Sequence, residues 1–274
     1  VDPKRVYIAV QYLRHYGYLQ RFDFTLEEFE ERVKKFQVMF DLKVDGEIGP
    51  QVLAAMDMKR CGNPDIAFAD TQQIKWNKEV KYFTEDCPTI DGIPNNRAAM
   101  EEVVKQAFQA WRDVCGFPKC TQVSSKSQSN YYIDTRTGRA NDFDGPSGVL
   151  AYNTLGMTNQ TISFYDGDET WTFEKTGGIK ILAVCVHEFG HGIDLEHSQL
   201  KSALMAPYYN AQISKPQQND DIPRAQSLYG NPINPTPNPN PNPTPTPTPG
   251  KTVITIDGTI SKISIPGYRV TKLD

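Results

Sequence analysis

Residues 187–197 read HEFGHGIDLEH and hold three of the chain's four histidines. His187 and His191 are four apart, so a helix carries both rings on one face, about one turn apart. Neutral imidazoles in that arrangement suit Zn2+, and a catalytic zinc site takes three protein ligands and keeps its fourth position open. His197 comes six residues later, beyond the reach of the same helix face. The spacing therefore predicts a turn near Leu195 that brings His197 round to the other two. Glu188 then needs no direct ligation. It can take a proton from the water that attacks a polarised carbonyl and later pass it to the leaving amine. The bland alternative is a histidine-rich surface helix without metal. With so few histidines in 274 residues, a chance H-E-x-x-H followed by a third His is rare. His15, the fourth, reads as an ordinary surface or helix-packing residue.

Outward from this stretch, the preceding run IKILAVCV predicts a long buried helix, with Cys185 as a small buried thiol. Further upstream, EVKYFT, GVLAYNT and TISFYD read as strands, and NRAAMEEVVKQAFQAWRDV as an amphipathic helix. IPRAQSLYG reads as a closing helix. Together these predict an α+β domain over 75–230, large enough to stand alone. Before it, residues 3–57 read as three short helices. PKRVYIAVQYLRHYG places Val6, Ala9, Val10 and Leu13 on one face and stops at Gly17. TLEEFEERVKKFQVMF opens with Thr25 three residues before Glu28, a capping-box signature, and turns Phe29, Val33 and Phe36 inward. DGEIGPQVLAAM starts a third helix with Pro50 in its first turn.

Residues 231–250, NPINPTPNPNPNPTPTPTPG, are an extended proline-rich linker that cannot form a packed core. The 251–274 tail carries two β-rich runs around Asp257-Gly258 and is too short to fold alone. With 38% hydrophobic and 23% charged residues the composition is globular, and a net charge of −4 points to neither nucleic acid nor an anionic membrane surface. No apolar run is long enough to span a bilayer. The chain starts Val-Asp without a signal-peptide pattern, which fits a form whose leader has been removed. Asn159-Gln-Thr is a glycosylation acceptor if the chain is secreted. Five cysteines cannot all pair internally. Cys115 and Cys120 flank a short loop and can bridge, Cys87 is another possible partner, and the sequence does not choose.

Eight residues after His197, ALMAP holds Met205 and Pro207, which resembles the Met-turn under the zinc of metzincins. With AFQAWRDV, FDGPSGVLAYN, DGDETWTF, HEFGH, ALMAPYY and DDIPRAQSLYG, residues 1–230 resemble the matrix metalloproteinases. FQVMFDLKVDGEIGPQVLAAM resembles a peptidoglycan-binding-like helical module, which serves some proteases as a pro-segment. The resemblance implies a metzincin catalytic domain, a twisted and mostly parallel sheet with helices, preceded by a small three-helix pro-domain. The expected organisation is a pro-domain over 1–57, a switch and activation segment over 58–74, the catalytic domain over 75–230, and then the linker and tail. The tail departs from this family: its hemopexin domain cannot fit in 24 residues, so none is expected.

KRCGNPD at 59–65 is similar to the matrixin cysteine switch, so the resemblance implies that Cys61 fills the zinc's fourth position in a latent form. The physics agrees: soft sulfur is a good zinc ligand, and a tethered thiol has an effective concentration on the order of millimolar or more. Arg60 and Asp65 are expected to pair across the loop. IAFADTQQIKW looks like the activation junction. It lacks the Arg-x-Lys-Arg site that a furin-type activator needs. The freed terminus would pair with Asp220 or Asp221. The resemblance further implies calcium held by Asp144, Asp166 and Glu169 with carbonyls of Gly145, Ser147 and Val149, in keeping with hard oxygen ligands. It implies peptide contacts at Leu150 and Ala151 on one cleft edge and at Pro207 and Tyr209 on the other.

Two further features depart from the family. Its second, structural zinc would fall at Tyr152 and Phe164, which are not histidines, so one zinc per chain is expected. Asp194 stands where the motif has glycine; Asp tolerates left-handed backbone better than most residues, at roughly 1 kcal/mol. The expected whole is a secreted, extracellular, monomeric zinc endopeptidase, with protein or peptide substrates and an activating protease as partners. The competing reading is a weak or inactive zinc protein that uses the helical module on cell-wall glycan. An intact Glu188 and Cys61 weigh against it.

Overall fold

The computed structural model describes residues 3–21, 23–66, 75–138, 143–154, 160–173 and 175–233. Asn159, the 67–74 part of the activation segment, nearly all of the linker and the tail lie outside the described residues.

The chain begins with α1 (Pro3–His15), α2 (Leu26–Met39) and α3 (Pro50–Met56). Thr25 caps α2 as its spacing requires: Glu28 N–H donates to Thr25 Oγ1 at 3.2 Å, and Thr25 N–H donates to the Glu28 carboxylate at 2.8 Å. Leu13, Phe29, Val33, Phe36 and Val52 meet in one apolar core. Buried Gln37 fastens the turn before α3, accepting from the N–H groups of Asp45 and Gly46 and donating to Asp45 Oδ1. Gly17, at φ +83°, ends α1.

A second core lies downstream, where α4 (Arg97–Arg112) packs on the metal-motif helix α5 (Ile181–Gly192). Trp111 Nε1 donates to Val186 O at 2.8 Å, so even the indole's polar atom is satisfied inside. Both helices pack against a six-stranded sheet formed by β1 (Arg60–Cys61), β2 (Val80–Thr84), β3 (Cys120–Gln122), β4 (Tyr131–Arg136), β5 (Val149–Asn153) and β6 (Thr161–Asp166). Its order is β1-β5-β6-β4-β2-β3; β5 runs antiparallel to β6 and every other pairing is parallel. The short pair β7 (Trp171–Thr172) and β8 (Ile179–Lys180) leads into α5, and α6 (Asp221–Tyr229) closes the domain. The fold is α+β, as expected, with a helical unit before it.

Strand β4 was not among the expected elements, although it sits at the centre of the sheet. YYIDTR neither alternates nor stays apolar, because its first three residues are buried and its last three half-buried. All five cysteines are free thiols, so neither Cys115–Cys120 nor a bridge to Cys87 forms. No helix among the described residues is long and apolar enough to cross a membrane.

Candidate metal centre

Helix α5 is buried almost throughout, which puts its polar residues on an inward face. The ring centroids of His187 and His191 lie 4.9 Å apart, one helical turn from each other. The helix then stops in a Schellman motif: Asp194 N–H donates to His191 O at 2.9 Å and Leu195 N–H donates to Gly190 O at 2.9 Å. Asp194 occupies the left-handed position, φ 73°, where the motif would have glycine. This reversal delivers His197, whose ring lies 4.7 Å from that of His191 and 5.4 Å from that of His187.

Each imidazole is oriented from behind. Nδ1–H of His187 donates to Leu204 O, and Nδ1–H of His191 donates to Leu195 O, both at 2.7 Å. A carbonyl can only accept, so these bonds fix the tautomer and leave Nε2 as the free ligand atom. His197 Nδ1 lies 2.9 Å from Asp65 Oδ1. His191 Nε2 is 3.1 Å from His197 Nε2 and 3.4 Å from Cys61 Sγ. Tetrahedral zinc separates its nitrogen and sulfur ligands by about 3.3–3.6 Å. The ligand atoms of Cys61, His187, His191 and His197 all fall within 4.8 Å of one another, the one such set among the described residues. His187 Nε2 and both carboxylate oxygens of Glu188 are buried without a hydrogen-bond partner among the described residues. Buried polar atoms are rarely left so; a cation and its substrate are what these would face.

Burial disfavours charge on every group here. It pulls His187 down to about 3 and His191 and His197 below the usual imidazole value, keeping the rings in the neutral form that ligates. It pushes Glu188 up to about 8 and lifts the Cys61 thiol well above its ordinary value, Glu188 adding to the latter. A divalent cation reverses the sign for the thiol and favours the thiolate.

The floor is built by Met205. Its sulfur sits where a side chain on Gly190 would go, 2.2 Å from that glycine's virtual Cβ. Buried Asp221 holds the turn beneath by accepting from Leu204 N–H and Met205 N–H at 2.7 and 3.0 Å, so its carboxylate is already committed. Asp220 accepts from Ser198 and Arg224.

Cys61 arrives on β1. Arg60 N–H donates to Gly148 O, Cys61 N–H to Pro207 O and Gly62 N–H to Ala151 O, at 2.8–2.9 Å. The chain thus lies between the two predicted cleft edges, and Tyr209 N–H adds a bond to Lys59 O. Leu150 and Ala151 are buried in β5. Pro207, Tyr209, Ala183, Ala203, Ile213 and Leu150 are among the residues around a recess of about 380 Å³, open mouth included. Asn63 sets its carboxamide against the backbone of Asn153, accepting from N–H at 2.7 Å and donating to O at 2.8 Å. That contact was not foreseen, since nothing in a Gly-Asn-Pro turn marks its partner ninety residues away.

The acid loops are less closely gathered. Asp144 Oδ1 accepts from Val149 N–H, Glu169 Oε1 from Ser147 N–H and Asp166 Oδ1 from Asp168 N–H. Asp166 is fully buried, and its Oδ2 has no partner among the described residues. Burial and then the neighbouring Asp168, Glu169 and Asp144 push its carboxyl up to about 6. Gly145, Ser147 and Gly148 all have positive φ, winding the loop around Asp144. At the positions of the family's second zinc, Tyr152 and Phe164 pair across β5–β6 with ring centroids 5.0 Å apart, and the Arg136 guanidinium covers Phe164 at 3.7 Å. Packed rings, not imidazoles, fasten the sheet there.

Known proteins agree with this geometry. A family model described as Matrixin matches residues 75–230, and one described as a putative peptidoglycan binding domain matches residues 3–56. The chain is 33% identical to matrix metalloproteinase-18 of Xenopus laevis, over 77% of this chain and 46% of that protein. It is 34% identical to interstitial collagenase A of Mus musculus, again over 77% and 46%. It is 30% identical to the hatching enzyme of Paracentrotus lividus, over 84% of this chain and 40% of the relative. The chain spans less than half the length of these relatives.

Proposed function

Because the chain belongs to the matrixin family, whose members bind catalytic zinc and calcium, we propose that it is a latent, secreted zinc endopeptidase. Its substrates are internal peptide bonds of proteins, and an activating protease removes residues up to about 74. The observation that carries the reading is the convergence of Cys61 Sγ with the histidine nitrogens beside a buried, unpartnered Glu188.

His187, His191 and His197 hold the metal through Nε2, with Leu204 O and Leu195 O setting the first two rings. Bound zinc supplies Lewis-acid polarisation of the scissile carbonyl. Glu188 is the general base. It lies buried with both carboxylate oxygens unpartnered among the described residues, placed to take a proton from attacking water and return it to the leaving amine. The backbones of Leu150 and Ala151 on one side and of Pro207 and Tyr209 on the other orient an extended peptide. Met205 packs against Gly190 and so would brace the helix whose histidines hold the metal. Asp144, Asp166 and Glu169, with carbonyls of Gly145, Ser147 and Val149, hold calcium and stiffen the cleft edge.

In the latent form Cys61 takes the position a substrate needs. The test is cleavage of a quenched peptide by the intact chain and by the chain trimmed near residue 74, each with and without a chelator. Only the trimmed, unchelated protein should turn over, and Glu188→Ala should lower its rate about 10²–10⁴-fold while zinc content is unchanged. Full turnover by Glu188→Ala, or by the chelated protein, would sink the reading.

A further inference from the structure

Helix α5 ends just where the histidine motif turns. The last carbonyls of a helix have no partner within it, and buried ones must find one elsewhere. The reversal itself serves three of them. Ile193 N–H donates to Phe189 O at 3.0 Å, and Leu195 N–H and Asp194 N–H donate to Gly190 O and His191 O, both at 2.9 Å. The next two carbonyls, on buried Gly192 and Ile193, are served by side chains from elsewhere. Trp76 Nε1–H donates to Gly192 O at 2.7 Å, and the Tyr229 hydroxyl donates to Ile193 O at 3.1 Å. The two donors are joined, since Trp76 N–H donates to the same Tyr229 oxygen at 3.3 Å.

These donors stand 153 residues apart. Trp76 is the second residue of the 75–230 span that matches the Matrixin model, and Tyr229 is its last but one. Each has its own support. The Trp76 ring lies 6.3 Å from that of Tyr131, whose hydroxyl oxygen sits 2.5 Å from where a Cβ on Gly192 would go. The Tyr229 ring stands edge-on to Phe117 at 5.3 Å, and Gln226 Nε2 ties α6 to Val114 O at 2.8 Å. Between them, residues 192–195 swing His197 back, and Leu195 O fixes the His191 ring. We infer that Trp76 and Tyr229 are positioning residues for the metal. The two ends of the domain clamp the reversal, and so hold Nε2 of His191 and of His197 in place relative to each other. The inference rests on the zinc reading proposed above. Without its donor, a buried carbonyl is left unsatisfied and the turn is driven to rearrange. A cut between residues 67 and 74 leaves Trp76 in place, so trimming there spares the clamp.

The probes are Zn2+ and Co2+ bound to the full chain. Trp76→Phe keeps a ring against Tyr131 and removes the indole N–H. Tyr229→Phe keeps the ring against Phe117 and removes the hydroxyl. Each should release Zn2+ to a chelator about tenfold faster than the unmodified chain, the low end of what outer-shell partners contribute. Each should also shift the visible absorption bands of bound Co2+, which report ligand geometry. Gln226→Leu supplies the comparison, because it breaks a bond of the same kind that runs to Val114 O and not to the turn. It should lower the melting temperature and leave both metal readouts alone. The inference is overturned if Trp76→Phe and Tyr229→Phe lower the melting temperature with zinc release and cobalt bands unchanged. It is overturned equally if Gln226→Leu moves those readouts as far, since metal retention would then follow stability alone. An unmodified chain that binds neither ion removes the zinc reading itself.

Discussion

His197 and Cys61 reach the same few ångströms of space by opposite routes. His197 is brought there by the chain that made α5: a Schellman turn of three residues, closed by Asp194 and Leu195 N–H, swings it back onto the helix it has just left. Cys61 comes on a loop fastened to the helical unit, 130 residues from His191 in sequence, held by an arginine among aromatic rings and an ion pair. A ligand delivered locally stays for as long as the domain is folded. One delivered by docking leaves when its host does. The third ligand is permanent and the fourth is removable because of where their supports lie, not because of what binds them.

The sharpest way to break that contrast is to delete each ligand in turn. His197→Ala should cost the trimmed protein its zinc and its turnover together. Cys61→Ala should leave zinc content intact and raise the turnover of the untrimmed chain, because it removes the thiolate while leaving the tether and the three imidazoles in place. Zinc analysis alongside a peptide assay reads both. If the two substitutions had the same effect on metal content, the distinction between permanent and removable ligand would be wrong.

The support of the removable ligand comes next in size. Arg60 and Asp65 are a buried ion pair with side chains 1% and 0% exposed. Removing one partner of such a pair costs about 3–5 kcal/mol, because the other is left charged in a dry site. Arg60→Leu should therefore loosen the docked segment, visible as leakage of activity in the uncut chain and as faster trimming. The trimmed domain, which lacks both residues, should be indifferent. A latent and slowly trimmed Arg60→Leu chain would show that the cleft contacts alone hold Cys61.

The difference between the two routes also explains what could be read in advance. His187, His191, His197 and Glu188 lie within eleven residues, so spacing alone exposes them. The capping box of α2 and the amphipathic α4 are equally local. The aromatic cage is not: Tyr12 and Tyr16 give no sign of a distant partner until Arg60 is folded onto them, and periodicity cannot pair residues more than forty apart. Strand β4 escaped for a related reason. YYIDTR is buried by what crosses it, α4 and α5 on one side, and carries no alternation of its own. The Arg60–Asp65 pair was foreseen only because both ends fall in one seven-residue loop.

On the permanent side the expected effect is smaller. Asp194, at φ 73°, pays for its side chain in the left-handed region with about 1 kcal/mol. Asp194→Gly should raise the melting temperature of the trimmed domain by about 2–4 °C with zinc affinity unchanged. A fall would mean that the aspartate's own interactions outweigh the strain, and that this turn has been tuned around the acid.

The smallest effect is on the helical unit that hosts the removable ligand. The Asp45 carboxyl accepts from Glu47 N–H and from Gln37 Nε2, and these bonds, the backbone one first, pull it down to about 2. An acid whose folded value lies below its unfolded one adds stability that is complete above the ordinary carboxylate range, near pH 4. That contribution drains away as the pH falls through about 2. Hydrogen exchange should show the Glu47 amide, bound to Asp45 Oδ1, losing protection between those limits. Asp45→Asn should flatten the dependence, since its side chain does not titrate. An unaltered slope in the variant would assign the acid sensitivity to some other carboxylate and leave the Gln37 knot as packing alone.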